Sequence, residues 1–339
     1  MLIVRPAISA DIDAICKLAK LAGPGFTSLE VGRKALKKRL ARSVKSFTGP
    51  ADISPDHVYM LMLEDSEKDE VVGMSAIKAQ IGIRDPYFNF RILNIAQKSA
   101  VTGSRFDMQV LVLVNEFAGA TEVGSLFVRD GYRGTGAGRL IAQARYMLMA
   151  TSPSRFGENV VSELRGQVSE DGASPFWDGL GREFFRMDFS EADKISAEKD
   201  NQFILDLMPK YPIYVELLPK DARDVIGLTH KDGKGARRLL EEEGFRYTGV
   251  IDIFDGGPNM DVPLTDLRTV RDSRLFEYRS TPSSENAVIR ALISNDKLKD
   301  FRCVLTKIYF DGNVVEIDEA SVKALGLGPD DKPRLWIKR

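Results

Sequence analysis

Apolar positions recur along this chain at two periods, and the switches between them lay out its elements. Ile12, Ile15, Leu18, Ala19 and Ala22 fall at helical spacing, with Ser9 or Asp11 placed to cap the helix they predict. Ahead of them, Ile3 to Pro6 reads as a short edge strand, because Pro6 cannot donate to a ladder. A second helix is predicted over about 28–46, with Val31, Ala35, Leu36, Leu40, Val44 and Phe47 on one side. Its other side carries Arg33, Lys34, Lys37, Lys38, Arg39, Arg42 and Lys45, either a solvated face or a surface near a polyphosphate or an acidic partner. Val58 to Glu64 and Glu70 to Lys78, parted by a polar turn, form a hairpin pattern. Strands follow at Gln109 to Val114 and Glu122 to Arg129, then a glycine-rich stretch, a helix over about 137–150 and a strand at Val160 to Leu164. Two further stretches read as helix, glycine stop, strand: Phe176 to Phe185, and Leu239 to Phe254. Beyond a break around Gly257 to Leu264 the pattern is β-rich. Strands are predicted at Arg271 to Tyr278 and Pro333 to Lys338, with a hairpin of Val304 to Phe310 and Val314 to Ile317 turning at Asp311-Gly312.

Composition narrows the chemistry. Forty-eight basic side chains against 49 acidic ones leave a formal charge of −1, which disfavours a general nucleic-acid binder. Apolar runs such as Val110 to Val114 are strand-sized, so no membrane span is expected. Arg5, Asp11, Asp13 and Lys17 leave no signal-peptide core near the start, and the expectation is a cytoplasmic protein. Cys16 and Cys303 make no Cys-x-x-Cys pair, and His57 and His230 are too few for a His-rich zinc site, so no metal is expected. No Gly-x-Ser-x-Gly elbow is present either.

The most informative stretch runs from Gly124 to Ile141, a strand entering a glycine-rich turn that opens an amphipathic helix. Glycines let backbone amides converge, and a helix N-terminus adds partial positive charge, so such a turn can cradle a phosphate. It is neither a P-loop nor the dinucleotide fingerprint, since Gly134, Gly136 and Gly138 give Gly-x-Gly-x-Gly. Taken alone it can equally be a structural turn.

Arg133-x-x-Gly136-x-Gly138 after a strand resembles the pyrophosphate motif of the GNAT (general N-acetyltransferase) superfamily, and Val4-Arg5-Pro6 leading into a helix is similar to the opening of that fold. More specifically, the chain resembles the arginine N-succinyltransferase family. The matching stretches include Gly25 to Leu29, Asp85 to Arg91, Ser174-Pro175-Phe176-Trp177, Leu207 to Tyr214, Val225 to His230 and Asp252-Ile-Phe-Asp-Gly-Gly-Pro258. The resemblance implies an α+β, GNAT-like acyltransferase fold: a mixed, mostly antiparallel sheet flanked by helices, with an extension and a small C-terminal β-rich appendage. The expected domains are 1–263 (core about 1–190, substrate-side extension about 191–263) and 264–339.

The same resemblance implies succinyl transfer from succinyl-CoA, as co-substrate, to the α-amine of L-arginine, with no permanently bound cofactor. It places the proton donor on His230 and an acyl-CoA contact on Leu126. In a direct-attack mechanism no nucleophilic residue is required; the protein positions both substrates and stabilises the oxyanion. Leu126, Phe127 and Val128 can offer backbone N–H to the thioester, and Arg133, Gly134, Gly136 and Gly138 form the phosphate turn. Glu122 on the same strand is a candidate base, or a plain surface carboxylate. His230 can instead act on the amine. Asp252 and Asp255 can grip a guanidinium or simply close a turn, and Arg91 is a candidate for a substrate carboxylate. His57 is expected at the surface. The family includes paired chains, which implies an oligomer of copies or of related subunits. Another small-amine N-acyltransferase, or a non-catalytic acyl-CoA-binding subunit, remains an alternative.

Overall fold

Val58 to Asp65 is apolar at nearly every position, as a strand covered on both faces must be. In the computed structural model it is central to one of two compact units. Residues 1–22, 32–170, 172–198, 202–281, 289–310 and 314–337 are described. The Gly25 to Leu29 stretch, most of the polar break after Thr281 and the Asp311-Gly312 turn lie outside them. In chain order the strands are β1 (Leu2–Pro6), β2 (Val58–Asp65), β3 (Glu70–Lys78), β4 (Asn89–Lys98), β5 (Arg105–Val114), β6 (Thr121–Val128), β7 (Asn159–Glu163) and β8 (Ile213–Tyr214). Then come β9 (Arg246–Asp252), β10 (Pro258–Pro263), β11 (Arg274–Leu275), β12 (Glu277–Thr281), β13 (Ile289–Ser294), β14 (Cys303–Phe310), β15 (Val314–Asp318) and β16 (Arg334–Ile337). The helices used below are α1 (Ile12–Ala22), α2 (Arg33–Thr48), α3 (Ala137–Thr151), α4 (Arg182–Phe185), α5 (Lys234–Glu243), α6 (Arg268–Asp272) and α7 (Glu319–Leu325).

The first unit comprises residues 1–80, 121–158 and 263–339. Its strands run β11-β16-β13-β14-β1-β2-β3-β6, antiparallel where the register is defined, with β15 joining β14 and pairing in parallel with β12. α1 and α2 cover one side of β2 and β3, where Ile15, Leu18, Leu36 and Leu40 meet Met60, Met62 and Met74. α3 is buried almost all round, consistent with its packing on β1, β2, β3, β6, β13 and β14. The second unit comprises 81–120 and 159–262, with strand order β7-β10-β9-β4-β5-β8. Its core is aromatic, built from Phe90, Phe176, Trp177, Phe185 and Phe254, with Trp177 stacked on Phe254 at 5.6 Å.

The α+β class and the antiparallel sheet are as expected; several details differ. The boundary near 263 coincides with a change of unit, yet the residues after it do not stand by themselves. β14 pairs with β1 (Ile3 with Val304, Val4 with Cys303), which places 263–339 in the first unit. Likewise 81–120 groups with 159–262, so the expected core of about 1–190 is divided between the units. β1 is therefore not an edge strand. Pro6 is accommodated because β14 pairing stops at Val4, so its missing N–H is not needed there. Arg268 to Asp272 is helical rather than the start of a strand; Thr269 is buried and α6 packs on α3. Gly181 is no helix stop. The chain passes through one π turn (Trp177–Gly181) straight into α4, and a Cβ at 181 would stand 2.2 Å from the Trp177 ring. In the second stretch the stop is real, since Gly244 closes α5 at φ 107°. Asp11 reaches back rather than forward onto α1: at the end of a single 3-10 turn (Ser9–Asp11), its carboxylate accepts the Ile8 N–H at 2.8 Å and the Arg5 guanidinium at 2.8 and 2.9 Å. Among the described residues no side-chain bond from Ser9 or Asp11 to an α1 N–H is seen.

Candidate active site

In the first unit, β3 and β6 pair residue for residue from Lys78–Glu122 to Ala76–Gly124, then resume at Met74–Phe127. Ser125 and Leu126 thus oppose Ser75 alone, a β-bulge, and Ser125 takes a φ of +51°. Bulges re-aim strand residues and cluster near active sites; a non-glycine residue at positive φ is a strained position. No sequence signal marks Ser125. The bulge takes Leu126 out of the β3 register at the position expected to meet an acyl thioester. Phe127 and Val128 are buried, so only their backbone remains to serve a ligand.

Downstream the chain makes a short turn and enters α3 with Gly134 at φ 79° and Gly136 at φ 97°. Residues with a Cβ rarely adopt such values. No side chain caps α3, and its first turn holds no acidic residue. A Cβ at Gly131, Gly134 or Gly138 would meet nothing within 4 Å, so the turn faces open space. Arg133 is mostly exposed; its Nε donates to the Val128 carbonyl at 3.2 Å and its Nη1 pairs with Asp130 at 3.0 Å.

Glu122 is half-buried, with Oε2 held by Lys78 Nζ at 2.7 Å across the strand pair. Oε1 lies over Gly124, 3.3 Å from where a Cβ there would stand, leaving that oxygen as the acceptor nearer the bulge. Arg39 of α2 also lies beside Glu122, and burial pulls its guanidinium below the usual arginine range. Neither cation stood out in the sequence as a neighbour of Glu122.

In the second unit His230 is buried, its backbone N–H donating to the Arg165 carbonyl at 2.8 Å. Nδ1 accepts the Asp232 backbone N–H at 3.3 Å, which puts the proton of a neutral ring on Nε2. A protonated ring would present Nδ1–H to the Asp232 carboxylate, whose Oδ2 is 3.5 Å away. Arg91 on β4 forms a two-point pair with Glu116 (Nε to Oε2 2.7 Å, Nη2 to Oε1) and donates to the Thr248 carbonyl at 3.0 Å. The Glu116 bonds raise its pKa further. Its guanidinium is committed to this pair rather than presented free.

Asp252 and Asp255 close a turn. Asp252 Oδ1 accepts the N–H of Phe254 and Asp255 at 2.7 and 2.8 Å. Asp255 accepts from Gly166 through Oδ2 and from Gly257 through Oδ1, at 2.7 and 2.8 Å. Both are buried. Burial, with Glu163 and Asp255 nearby, pushes Asp252 well above the usual carboxylate range. Asp255 is also raised by burial, though its two N–H bonds act the other way. The structure thus brings Glu122, Leu126 and the glycine turn onto one unit, and His230, Arg91, Asp252 and Asp255 onto the other. His57 is half-buried rather than at the surface, and burial lowers its pKa. Among the described residues no group of three or more His, Cys, Asp or Glu is placed to hold a metal, and no helix is long and apolar enough to cross a membrane.

By sequence and by fold the chain sits among acyltransferases. The family model described as arginine N-succinyltransferase beta subunit matches residues 2–269, and that of its C-terminal domain matches 281–336. Arginine N-succinyltransferases of Escherichia coli O139:H28 and Escherichia fergusonii are each 36% identical over 335 residues, 99% of this chain and 97% of theirs. The solved arginine/ornithine succinyltransferase subunit AI of Pseudomonas aeruginosa superposes with a TM-score of 0.90 at 32% identity, covering 99% of this chain and 98% of that one. The chain belongs to the arginine N-succinyltransferase family.

Proposed function

We propose that this protein transfers the succinyl group of succinyl-CoA to the α-amine of L-arginine. The observation that carries this reading is the full-length match to enzymes named for that reaction, together with a bulged strand running into an open glycine turn. The glycine turn and the N-terminus of α3 bind the CoA pyrophosphate. The Leu126 N–H donates to the thioester oxygen as it becomes an oxyanion. The amine nitrogen attacks the carbonyl carbon; the C–N bond forms and the C–S bond breaks. Glu122 takes the amine proton on Oε1, directly or through water, and His230 returns a proton from Nε2 to the departing thiolate. Nδ1 lies against Asp232, so Nε2 is the nitrogen left to face the thiolate, and donation from it is by the imidazolium, a neutral imidazole being far too weak an acid. Arginine is bound through its guanidinium and α-carboxylate. An assembly of like or related subunits goes with this reading, since the relative of known structure is described as a subunit.

The test is CoA release from succinyl-CoA and acetyl-CoA over arginine, ornithine, lysine and agmatine. Arginine with succinyl-CoA should give the highest kcat/KM, and equal turnover of agmatine would exclude acylation of an α-amine. His230→Ala should lower kcat by about 10²–10⁴ with both KM values nearly unchanged. Loss of the alkaline limb of the kcat profile in that variant marks a donor; loss of the acid limb would mark a base instead.

A further inference from the structure

On the β13–β14 ladder, Arg290 stands opposite Lys307 and Leu292 opposite Leu305. Side chains two apart share a face, so these four lie together. The opposite face, with Ala291, Ile293, Val304 and Ile308, fills the core against α7. The Arg290 face meets the glycine turn: Arg290 Nη2 lies 3.4 Å, and Leu305 Cδ2 4.0 Å, from the point where a Cβ on Gly136 would stand. Arg290 and Lys307 are both exposed, and neither has an anionic partner among the described residues.

Two like charges directly opposite in a ladder destabilise it. Here they stand beside the positive end of a fifteen-residue helix whose first turn holds no acid, where cations are disfavoured. Nothing in the folding of the sheet calls for this accumulation. An anion seated at the turn would reverse the sign of every one of these terms.

We propose that Arg290, seconded by Lys307, binds a phosphate group of the CoA moiety, so that residues beyond 263 complete the acyl-CoA site. The inference rests on the acyl-CoA reading above and adds a ligand contact from a segment outside the Arg133–Gly138 motif. Guanidinium to phosphate is a paired, charge-assisted contact, whereas a lysine supplies only a point charge. Arg290 is therefore the stronger of the two.

The test measures binding of CoA and of 3′-dephospho-CoA by calorimetry, and KM and kcat with succinyl-CoA, in wild type, Arg290→Gln and Arg290→Lys. Arg290→Gln should weaken CoA about tenfold, the scale of one lost charge-assisted contact. It should raise KM for succinyl-CoA in proportion, while kcat and KM for arginine stay as they are and Arg290→Lys recovers part of the loss. If the contact is to the 3′-phosphate, dephospho-CoA binds both forms equally; if to the pyrophosphate, it is weakened as CoA is. A folded Arg290→Gln protein that binds both ligands as wild type does would overturn the proposal. Wild-type protein that binds no CoA at all would instead overturn the acyl-CoA reading, and this inference with it.

Discussion

Two strand-to-turn passages in this molecule look alike in sequence and behave oppositely in space. Gly124 to Gly138 and Asp252 to Pro258 each leave a strand through glycines and charged residues. At the first, Gly131, Gly134 and Gly138 border open space, and α3 begins without a side-chain cap. Its backbone donors have been left for something else. At the second, a Cβ on Gly257 would stand 2.2 Å from the Leu164 carbonyl and one on Gly166 2.3 Å from that of Asp255, while Asp252 Oδ1 and both oxygens of Asp255 accept backbone N–H groups. Glycine is there because backbones touch. The more distinctive string is thus a closed structural knot, and the plainer one is left open.

The contrast breaks most sharply at Gly257. Gly257→Ala should cost about 3 kcal/mol or more, since the clash is with backbone that cannot turn aside. Gly134→Ala should cost only about 1–2 kcal/mol from its positive φ; urea denaturation of both variants checks the difference. Next is Gly136→Asp, which should leave the protein folded and raise KM for succinyl-CoA about a hundredfold by bulk and like charge. Unchanged CoA affinity in that variant would remove the turn from the site.

Asp255→Asn should then cost about 2 kcal/mol, because one amide oxygen cannot replace two carboxylate oxygens accepting from Gly166 and Gly257. The smallest effect belongs to Asp252→Asn, whose oxygen can still accept both N–H groups. Asp252 is raised in the folded state above the 3.8 of a free aspartate. The folded state therefore holds a proton that the unfolded chain releases. Its contribution is fully present below about pH 4 and is lost as pH rises toward the folded value. Asp252→Asn should flatten that slope, changing stability least near pH 4 and increasingly in the variant's favour as pH rises above it, and should leave kcat/KM for arginine intact. A large loss of arginine affinity without a loss of stability would return this carboxylate to the substrate.

Where elements have a strong period or a covered pair of faces, the sequence was enough to find them. The β2–β3 hairpin, β6, the glycine turn and α3 are all of that kind. β4 was missed because its second half is exposed, so Asn94 to Lys98 carries no alternation of burial. α6 and the interior placement of β1 depend on partners far along the chain, α3 and β14, which no local pattern reveals. In the candidate site, the types of residue were legible but their neighbours were not. Lys78 on Glu122, Glu116 on Arg91 and the bulge at Ser125 arise from register and pairing. Those neighbours separate a committed side chain from an available one.

The pairing of β1 with β14 also bears on how the protein is made. Ile3 and Val304 are about three hundred residues apart along the chain, so this ladder closes one of its longest loops. During synthesis β1, β2 and β3 can form early, but β1 waits with one edge bare until residues 303–310 have left the ribosome. At a usual pace of about 5–20 residues per second that wait lasts roughly 10–50 seconds. Non-local closure of this sort slows folding, and a bare strand edge invites pairing with a neighbouring chain. The nascent protein should therefore depend on chaperone cover through most of its translation, although the finished fold leaves that edge paired.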